Sequence, residues 1–199
     1  GKLADRDFNL AVSPPPLAET FVQEFPEVMS AARLFRSREK VLVGYEGKSF
    51  NEERFYYADP TVFEVFTFPL IQGDSKIALL QPNSVVLTRA VAQRYFGDEN
   101  PMGKTLTLDR SLDFRITGVA EDVPSNSHFH FNFLASLSTL ELSRSPSWFN
   151  SSFHTYLVLR KDCSPSQLEA KFPAFIRKRL GPQVKAGMGI AIDDFFAIG

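Results

Sequence analysis

The chain has 199 residues and a formal net charge of −1, with 22 basic and 23 acidic residues. Because these charges are interspersed, no basic cluster favours nucleic acid or an anionic membrane surface. A chain of this length forms one domain or two small ones and buries about 70 % of its unfolded surface, so its core needs no disulfide or metal. Cys163 is the only cysteine, and no internal disulfide can form.

The first third of the sequence predicts one helix among short strands. Ser13 and the three prolines after it mark the helix start, because proline fits a first turn whose backbone N–H groups have no partners. Leu17, Phe21 and Phe25 recur every four residues and predict its buried face, and Pro26 ends it. The other predicted elements here are strands at residues 7–12, 28–36 and 40–44 and an extended segment at 50–57.

The middle third carries the clearest local signals. Asp59, followed by Pro60, is predicted to cap a short helix. Thr88 is predicted to cap a second helix after a strand at residues 84–88, and Gly97 to end it with a positive φ angle. The predicted buried side of that helix is Val91, Ala92, Tyr95 and Phe96. The elements that follow are a type I turn at residues 100–103 and strands at residues 105–108 and 114–119.

The last third predicts a strand at residues 154–160 and then a long helix. Ser164 to Gln167 form a capping box with Pro165 at the first helical position. Pro173 is predicted to kink this helix, and Gly181 with Pro182 to end it. The predicted buried stripe is Leu168, Phe172, Phe175, Ile176 and Leu180.

Aromatic residues are concentrated in one segment. The chain has 20 phenylalanines. The dense segment contains Phe55, Phe63, Phe66 and Phe68 beside Tyr56 and Tyr57. A core or a subunit interface would both use such residues, and the general burial of large apolar side chains favours the core.

A phosphate-binding loop is not predicted. Gly47, Lys48 and Ser49 match the end of such a loop, but the upstream glycine that it requires would fall on Leu42. Gly44 has the wrong spacing. The match is therefore interpreted as a coincidence.

The histidine pair is a candidate for a metal site. His128 and His130 would share one strand face, with Asp122 near enough in sequence to complete a set of three ligands. Phe129 and Phe131 alternate with them as the buried face of the same strand, so solvent-facing or loop-capping histidines are favoured. No metal ligand is predicted.

Recognisable catalytic patterns are absent from the sequence. It contains no G-x-S-x-G elbow and no H-E-x-x-H motif. Asp193 and Asp194 could pair as acid and base, but adjacent carboxylates on an extended chain point to opposite faces, and a solvated turn is preferred. No catalytic or cofactor-binding residue is predicted.

Four segments together resemble a known family. They are PPPLAETFVQEFPEV (14–28), DPTVFEVFTFPLIQGD (59–74), SVVLTRAVAQRYFGDENPMGKTL (84–106) and ITGVAEDVPSNSHFHF (116–131). These segments are similar to the extracytoplasmic core domain of MacB-like ABC transporter permeases, in the broad group that includes FtsX-type subunits. The resemblance covers residues 14–137, and VAQRYFG-DENPMGK is its most specific string.

The resemblance implies an α+β fold in two parts. A porter-like βαβ subdomain, similar to those of efflux pumps, would comprise residues 1–49 and 124–199. A small β-rich subdomain at residues 50–123 would be inserted into it.

The resemblance also implies a function: a non-enzymatic periplasmic domain of a bacterial inner-membrane protein, without cofactors. Its implied partners are a second permease copy, a cytoplasmic ATP-binding subunit reached through the transmembrane part, and a periplasmic adaptor or lipoprotein. With Gly1 as a cloning remnant and no apolar run of about 18 residues, the chain would derive from the region between the first two transmembrane helices. The alternative is an enzyme or small-molecule-binding domain whose pocket residues are not recognisable singly.

Overall fold

The computed structural model describes residues 2–3, 6–7, 12–37, 40–127 and 129–198, and the side chains of residues 12–196 within these ranges. The strands are, in chain order, β1 Lys2–Leu3, β2 Arg6–Asp7, β3 Val28–Arg36, β4 Val41–Tyr45, β5 Lys48–Glu52, β6 Phe55–Ala58, β7 Leu70–Gln72, β8 Ser84–Thr88, β9 Thr105–Leu108, β10 Leu112–Ala120, β11 Phe133–Ser136 and β12 His154–Leu159. The helices are α1 Leu17–Glu24, α2 Val62–Val65, α3 Arg89–Phe96, α4 Pro165–Glu169, α5 Phe172–Met188 and α6 Ile192–Ile198, with 3₁₀ turns at Leu137–Thr139 and Glu141–Arg144.

Ten of these strands form one mixed sheet. Its order is β12-β3-β6-β11-β8-β10-β9-β4-β5, with β7 paired to β10 beside this path. The pairs β6–β11 and β8–β10 are parallel, and the other pairs are antiparallel. Strands β1 and β2 pair separately. The predicted α+β class is confirmed.

Strand β8 lies in the middle of the sheet and is buried along its whole length. Val85 and Leu87 point into one core cluster, which α3 covers with Val91. Val86 points into the cluster on the opposite face. Because successive side chains of a strand alternate between faces, a strand with both faces covered reads as a continuous apolar run, as Ser84–Thr88 does.

The aromatic segment contributes to both clusters. Phe55 is 1 % exposed and stacks on Phe133 with ring centroids 5.4 Å apart. On the other face, Phe66 and Phe68 make edge contacts with Phe129 at 5.1 and 5.5 Å. Phe55 and Tyr56 of this segment therefore belong to the core, and Phe63, Phe66 and Phe68 are partly buried against it.

A third cluster joins α1 to the C-terminal helices. Phe21 of α1 and Phe25, which follows the helix, pack against Leu168 of α4 and Phe175 of α5. The Phe21 and Phe175 rings meet edge to face at 4.9 Å. The predicted periodicity of α1 is thus borne out by its packing.

Helix α3 ends as the sequence predicts. Gly97 has φ 58° and ψ −123°, and its N–H donates to the carbonyl of Gln93. Tyr95 and Phe96 are both buried. Glycine is required here because residues with a Cβ rarely adopt this backbone region.

The C-terminal helix differs from the prediction. The break falls between α4 and α5, and Pro173 lies in the first turn of α5, where its missing N–H costs nothing. Helix α5 then continues through Gly181 and Pro182 to Met188. Val184, beyond the predicted end, is fully buried, and tertiary packing of this kind overrides local breaking signals.

Two further segments depart from the sequence prediction. Residues 129–132 form no strand, although Phe129 and Phe131 are buried as expected, and the strand begins at Phe133. Most of the strand predicted at residues 7–12 lies outside the described residues, since 8–11 are not among them.

The division into residues 1–49 with 124–199 and an inserted 50–123 stays a prediction. Both segments contribute strands to the same sheet, where β6 lies between β3 and β11. Within the described ranges, no helix combines the length and apolar character that crossing a bilayer demands.

Candidate functional site: an apolar groove beside the Arg33–Asp59 ion pair

An ion pair links β3 to the residue that follows β6. Arg33 donates from Nε to Oδ2 of Asp59 at 2.8 Å and from Nη2 to Oδ1 at 2.9 Å, and the backbone N–H of Arg33 donates to Oδ2 at 2.9 Å. The two side chains are 19 % and 17 % exposed. The predicted helix-capping role of the Asp59 side chain is wrong. Its carboxylate binds Arg33, and α2 begins at Val62, whose N–H donates to the Asp59 carbonyl.

The other side of the Arg33 guanidinium binds two more segments. Nη1 donates to the carbonyls of Pro15 at 2.9 Å and Ser143 at 2.8 Å. The guanidinium also lies over the Phe153 ring, 5.5 Å from its centroid. One side chain therefore ties the entry to α1, strand β3, the start of α2 and the second 3₁₀ turn together.

A groove of ≈ 570 Å³ opens beside this ion pair, between α1, β3 and α2. Three large apolar side chains line it and remain solvent-exposed: Val22 by 43 %, Met29 by 64 % and Leu80 by 50 %. Leu80 also borders a second groove of ≈ 740 Å³, in which Ile77 is 60 % exposed. Contiguous exposed apolar surface of this kind is a common mark of an interaction site.

Carboxylates stand on two walls of the first groove. Glu19 of α1 accepts a hydrogen bond from Gln23 at 3.0 Å, and Glu64 of α2 accepts one from Ser30 at 3.3 Å. Neither carboxylate has an ion-pair partner among the described residues. Because Arg33 is neutralised by Asp59, the groove lining carries a local negative charge.

The residues that matched a phosphate loop form a hairpin turn. Glu46 and Gly47, with φ angles of 44° and 78°, connect β4 to β5, and Tyr45 pairs with Lys48. Two successive positive φ angles are typical of a type I′ turn. A phosphate loop leads from a strand into a helix, so the coincidence interpretation agrees with the structure.

The candidate metal ligands named from the sequence do not form a metal site in the described part of the chain. Asp122 accepts a hydrogen bond from the Ala90 N–H at 2.9 Å, which caps the first turn of α3 in place of the Thr88 hydroxyl. His130 is half-buried, and His128 lies outside the described residues. No group of three His, Cys, Asp or Glu side chains suited to a metal ion occurs among the residues described.

The C-terminal aspartates do not occupy an extended turn. Asp193 and Asp194 lie in the first turn of α6, where acidic side chains suit the helix dipole. Asp193 accepts a hydrogen bond from Nε of Arg177 at 2.8 Å. The expected solvated turn is wrong, and the helix explains both residues structurally.

A buried polar cluster that the sequence did not reveal lies at the opposite end of the sheet. Glu52 of β5 is 4 % exposed and accepts hydrogen bonds from the Tyr95 hydroxyl at 2.7 Å and from Arg94. Burial and then the Glu52 carboxylate raise the pKa of Tyr95 far above its usual value. Burial likewise raises the pKa of Tyr57 to about 12. Both hydroxyls stay protonated at neutral pH, and that of Tyr95 donates to Glu52.

The sequence gives little indication that the residues of this groove and ion pair belong to a site. Arg33 stands between buried Ala32 and Leu34 on β3, so a charge within an apolar strand was the only hint. Its partner Asp59 lies 26 residues away and was explained by the adjacent proline. Met29 and Leu80 were unremarkable apolar positions until the fold left them uncovered.

The fold is similar to that of solved domains of transporter permeases. A domain of a candidate permease protein from Porphyromonas gingivalis has a TM-score of 0.78 at 22 % identity, covering 87 % of this chain and 74 % of that chain. The periplasmic region of MacB from Actinobacillus actinomycetemcomitans gives 0.63 at 20 % identity, covering 99 % and 87 %. The extracellular domain of the ABC-type transporter YknZ from Gram-positive bacteria gives 0.55 at 11 % identity, covering 91 % and 87 %.

The family model for the MacB-like periplasmic core domain matches residues 4–175, and the chain belongs to that family. A sequence relative is the macrolide export ATP-binding/permease protein MacB of Syntrophobacter fumaroxidans, 28 % identical over 115 residues. The match covers 56 % of this chain and only 16 % of that relative. The resemblance inferred from the sequence is confirmed, and with it the periplasmic location at the inner membrane.

Proposed function

We propose that this domain is a non-catalytic coupling element, which converts movement of the permease in the membrane into contacts with a substrate or partner protein in the periplasm. Membership in the MacB-like periplasmic core domain family is the observation that carries this proposal. The family is one of transporter permease domains and is not a known enzyme family.

The architecture supports a mechanical role. One continuous sheet, with cores on both faces, makes a body that moves as a unit. Coupling by rigid-body movement requires such a unit and two arrangements of its neighbours. The proposed neighbours are a second permease copy, an ATP-binding component on the cytoplasmic side, and a periplasmic adaptor or lipoprotein.

The geometry of the same groove bears on the alternative function, which is binding or conversion of a small molecule. Its volume of ≈ 570 Å³ falls within the roughly 300–1,000 Å³ of ligand sites. However, the groove leaves its main apolar side chains exposed, whereas a ligand site encloses most of its ligand. This geometry suits a contact with a protein surface better.

The test uses the full-length permease reconstituted in membranes, with Cys163 and any other native cysteine replaced by serine. Spin labels attached at Lys48→Cys report the distance between the two copies. A second pair of labels, at Lys48→Cys and Ser166→Cys, reports a distance within one copy. We expect ATP to change the first distance and to leave the second unchanged. An unchanged distance between copies during transport, or saturable ATP binding by the 199-residue chain itself, would overturn the proposal.

A further inference from the structure

We infer that the groove between α1, β3 and α2 binds a short segment of a different protein, one that carries apolar side chains flanked by lysine or arginine. This inference rests on the proposed contact-making function and specifies the chemistry of the partner. Its first basis is the shape of the site. Val22, Met29 and Leu80 stand exposed around a floor formed by buried Ala18 and Ala31.

The size of the groove suits a few side chains rather than a whole domain face. At ≈ 570 Å³ it accommodates two or three apolar side chains of a helix or extended peptide. Covering the exposed apolar atoms of Met29 and Leu80 provides the driving force, because apolar surface is removed from water.

The carboxylates on the walls of the groove determine the charge that we expect of the partner. Glu19 on α1 and Glu64 on α2 face the groove from two sides, and their described contacts are neutral hydrogen bonds to Gln23 and Ser30. The one cationic side chain in the lining, Arg33, is held by Asp59. A basic flank is therefore attracted, and an acidic one repelled.

The same charges disfavour two other occupants. In a two-fold symmetric contact through this groove, Glu19 and Glu64 of one copy would meet the same residues of the second copy. Such a contact sets like charges against each other at its rim. An anionic lipid surface would be repelled for the same reason.

The proposal is tested with two synthetic helical peptides that share leucines at positions i, i+3, i+4 and i+7. One carries lysine at the flanking positions and the other carries glutamate. Fluorescence anisotropy of the labelled peptides is followed during titration with the 199-residue chain. We expect the lysine peptide to bind at least about tenfold more tightly, and added salt to narrow the difference.

Matched variants locate the binding. Met29→Ser with Leu80→Ser removes the apolar contacts, and Glu19→Gln with Glu64→Gln removes the charge. Each pair should weaken binding of the lysine peptide by about tenfold or more. The controls are Leu112→Ser, at an exposed leucine of β10, and Glu169→Gln, at an exposed carboxylate of α4, and neither should change the affinity. Unchanged circular dichroism shows that each variant is folded.

Several outcomes would overturn the inference. Equal affinity for both peptides, or equal losses in the control variants, would remove the groove as a basic-segment site. A concentration-dependent dimer abolished by Met29→Ser would assign the groove to a second copy, and binding to phosphatidylglycerol vesicles lost in the same variant would assign it to the membrane. If peptide binding fails while ATP still changes the distance between copies, only this inference falls and the coupling function stands.

Discussion

Arg33 and Asp59 are joined by three hydrogen bonds across the junction of β3 and β6, and both side chains are mostly shielded from water. The same guanidinium donates to two backbone carbonyls of other segments. The pair is thus a connection point for four segments, three of which border the apolar groove. Its strength decides how firmly the groove walls are held.

Asp59→Ala should lower the free energy of unfolding by about 2 kcal/mol, because Arg33 keeps its charge in a mostly buried position without its partner. Arg33→Lys should also destabilise, since an ammonium group cannot reproduce the forked donation. Urea unfolding measures both. The control is Glu53→Gln, at an ion pair in which both side chains are 64 % exposed, and it should leave the unfolding midpoint unchanged. Equal effects at the two ion pairs would contradict the argument.

Gly97→Ala should destabilise the domain by about 1 kcal/mol or more. A Cβ at this position would meet nothing within 4 Å, so the cost comes entirely from the backbone at φ +58°. Gly181→Ala is the matched control, because Gly181 lies inside α5 and its Cβ would make ordinary contacts of 3.8 Å with Ile192. That change should stabilise by about 0.5–1 kcal/mol. Thermal unfolding should give a lower melting temperature for Gly97→Ala and a higher one for Gly181→Ala.

The stability of the domain should fall in alkaline solution through Tyr57. Burial raises the pKa of Tyr57 from 10.0 to about 12, so the folded chain holds this proton across a range in which the unfolded chain has released it. The free energy of unfolding contributed by Tyr57 is therefore constant below about pH 10 and falls by roughly 1.4 kcal/mol per pH unit up to about pH 12. Tyr57→Phe removes this contribution. Urea unfolding at several alkaline pH values should give a shallower pH slope for the variant, and an identical slope would refute the assignment.

Glu24→Gln should loosen α5 from the body of the domain. Glu24, at the end of α1, accepts hydrogen bonds from Lys178 at 3.1 Å and from Arg179. Without the carboxylate, α5 keeps the apolar contacts of Phe172 and Phe175 with α1 but loses its ion pairs with that helix. Hydrogen exchange should speed up in α5 while β8 stays protected. Glu169→Gln, at an exposed side chain of α4, serves as control and should leave α5 unchanged, and faster exchange throughout the chain would show a global effect instead.

Local chemistry explains which parts of this fold could be predicted from the sequence. The glycine stop at Gly97, the capping box at Ser164 and the apolar run of β8 depend on neighbouring residues, and all three were correctly inferred. Pro182 within α5 was misjudged, because its breaking tendency is outweighed by packing around Val184, which sequence spacing does not reveal.

The candidate site was beyond local prediction for a related reason. The Arg33–Asp59 pair joins residues that are distant in sequence, and the capping signal at Asp59 and Pro60 gave a different explanation for the aspartate. The groove exists only because α1, β3 and α2 meet without covering Met29 and Leu80. Exposure of an apolar side chain is a property of the assembled fold and not of its sequence neighbourhood.

The order of the sheet has a mechanical consequence. The path from β12 to β5 crosses eight strand junctions, which at about 4.8 Å each spans on the order of 38 Å. A load applied along the strand direction at the β4–β5 hairpin reaches β3, at the groove, as shear across successive hydrogen-bond ladders. Within each ladder the bonds share the load in parallel, so the sheet resists sliding far better than a chain of loops would. The proposed docking groove beside β3 therefore lies near one end of this path, and the edge strand β5 of the β4–β5 hairpin lies at the other, so a load on the hairpin reaches the groove only through the sheet.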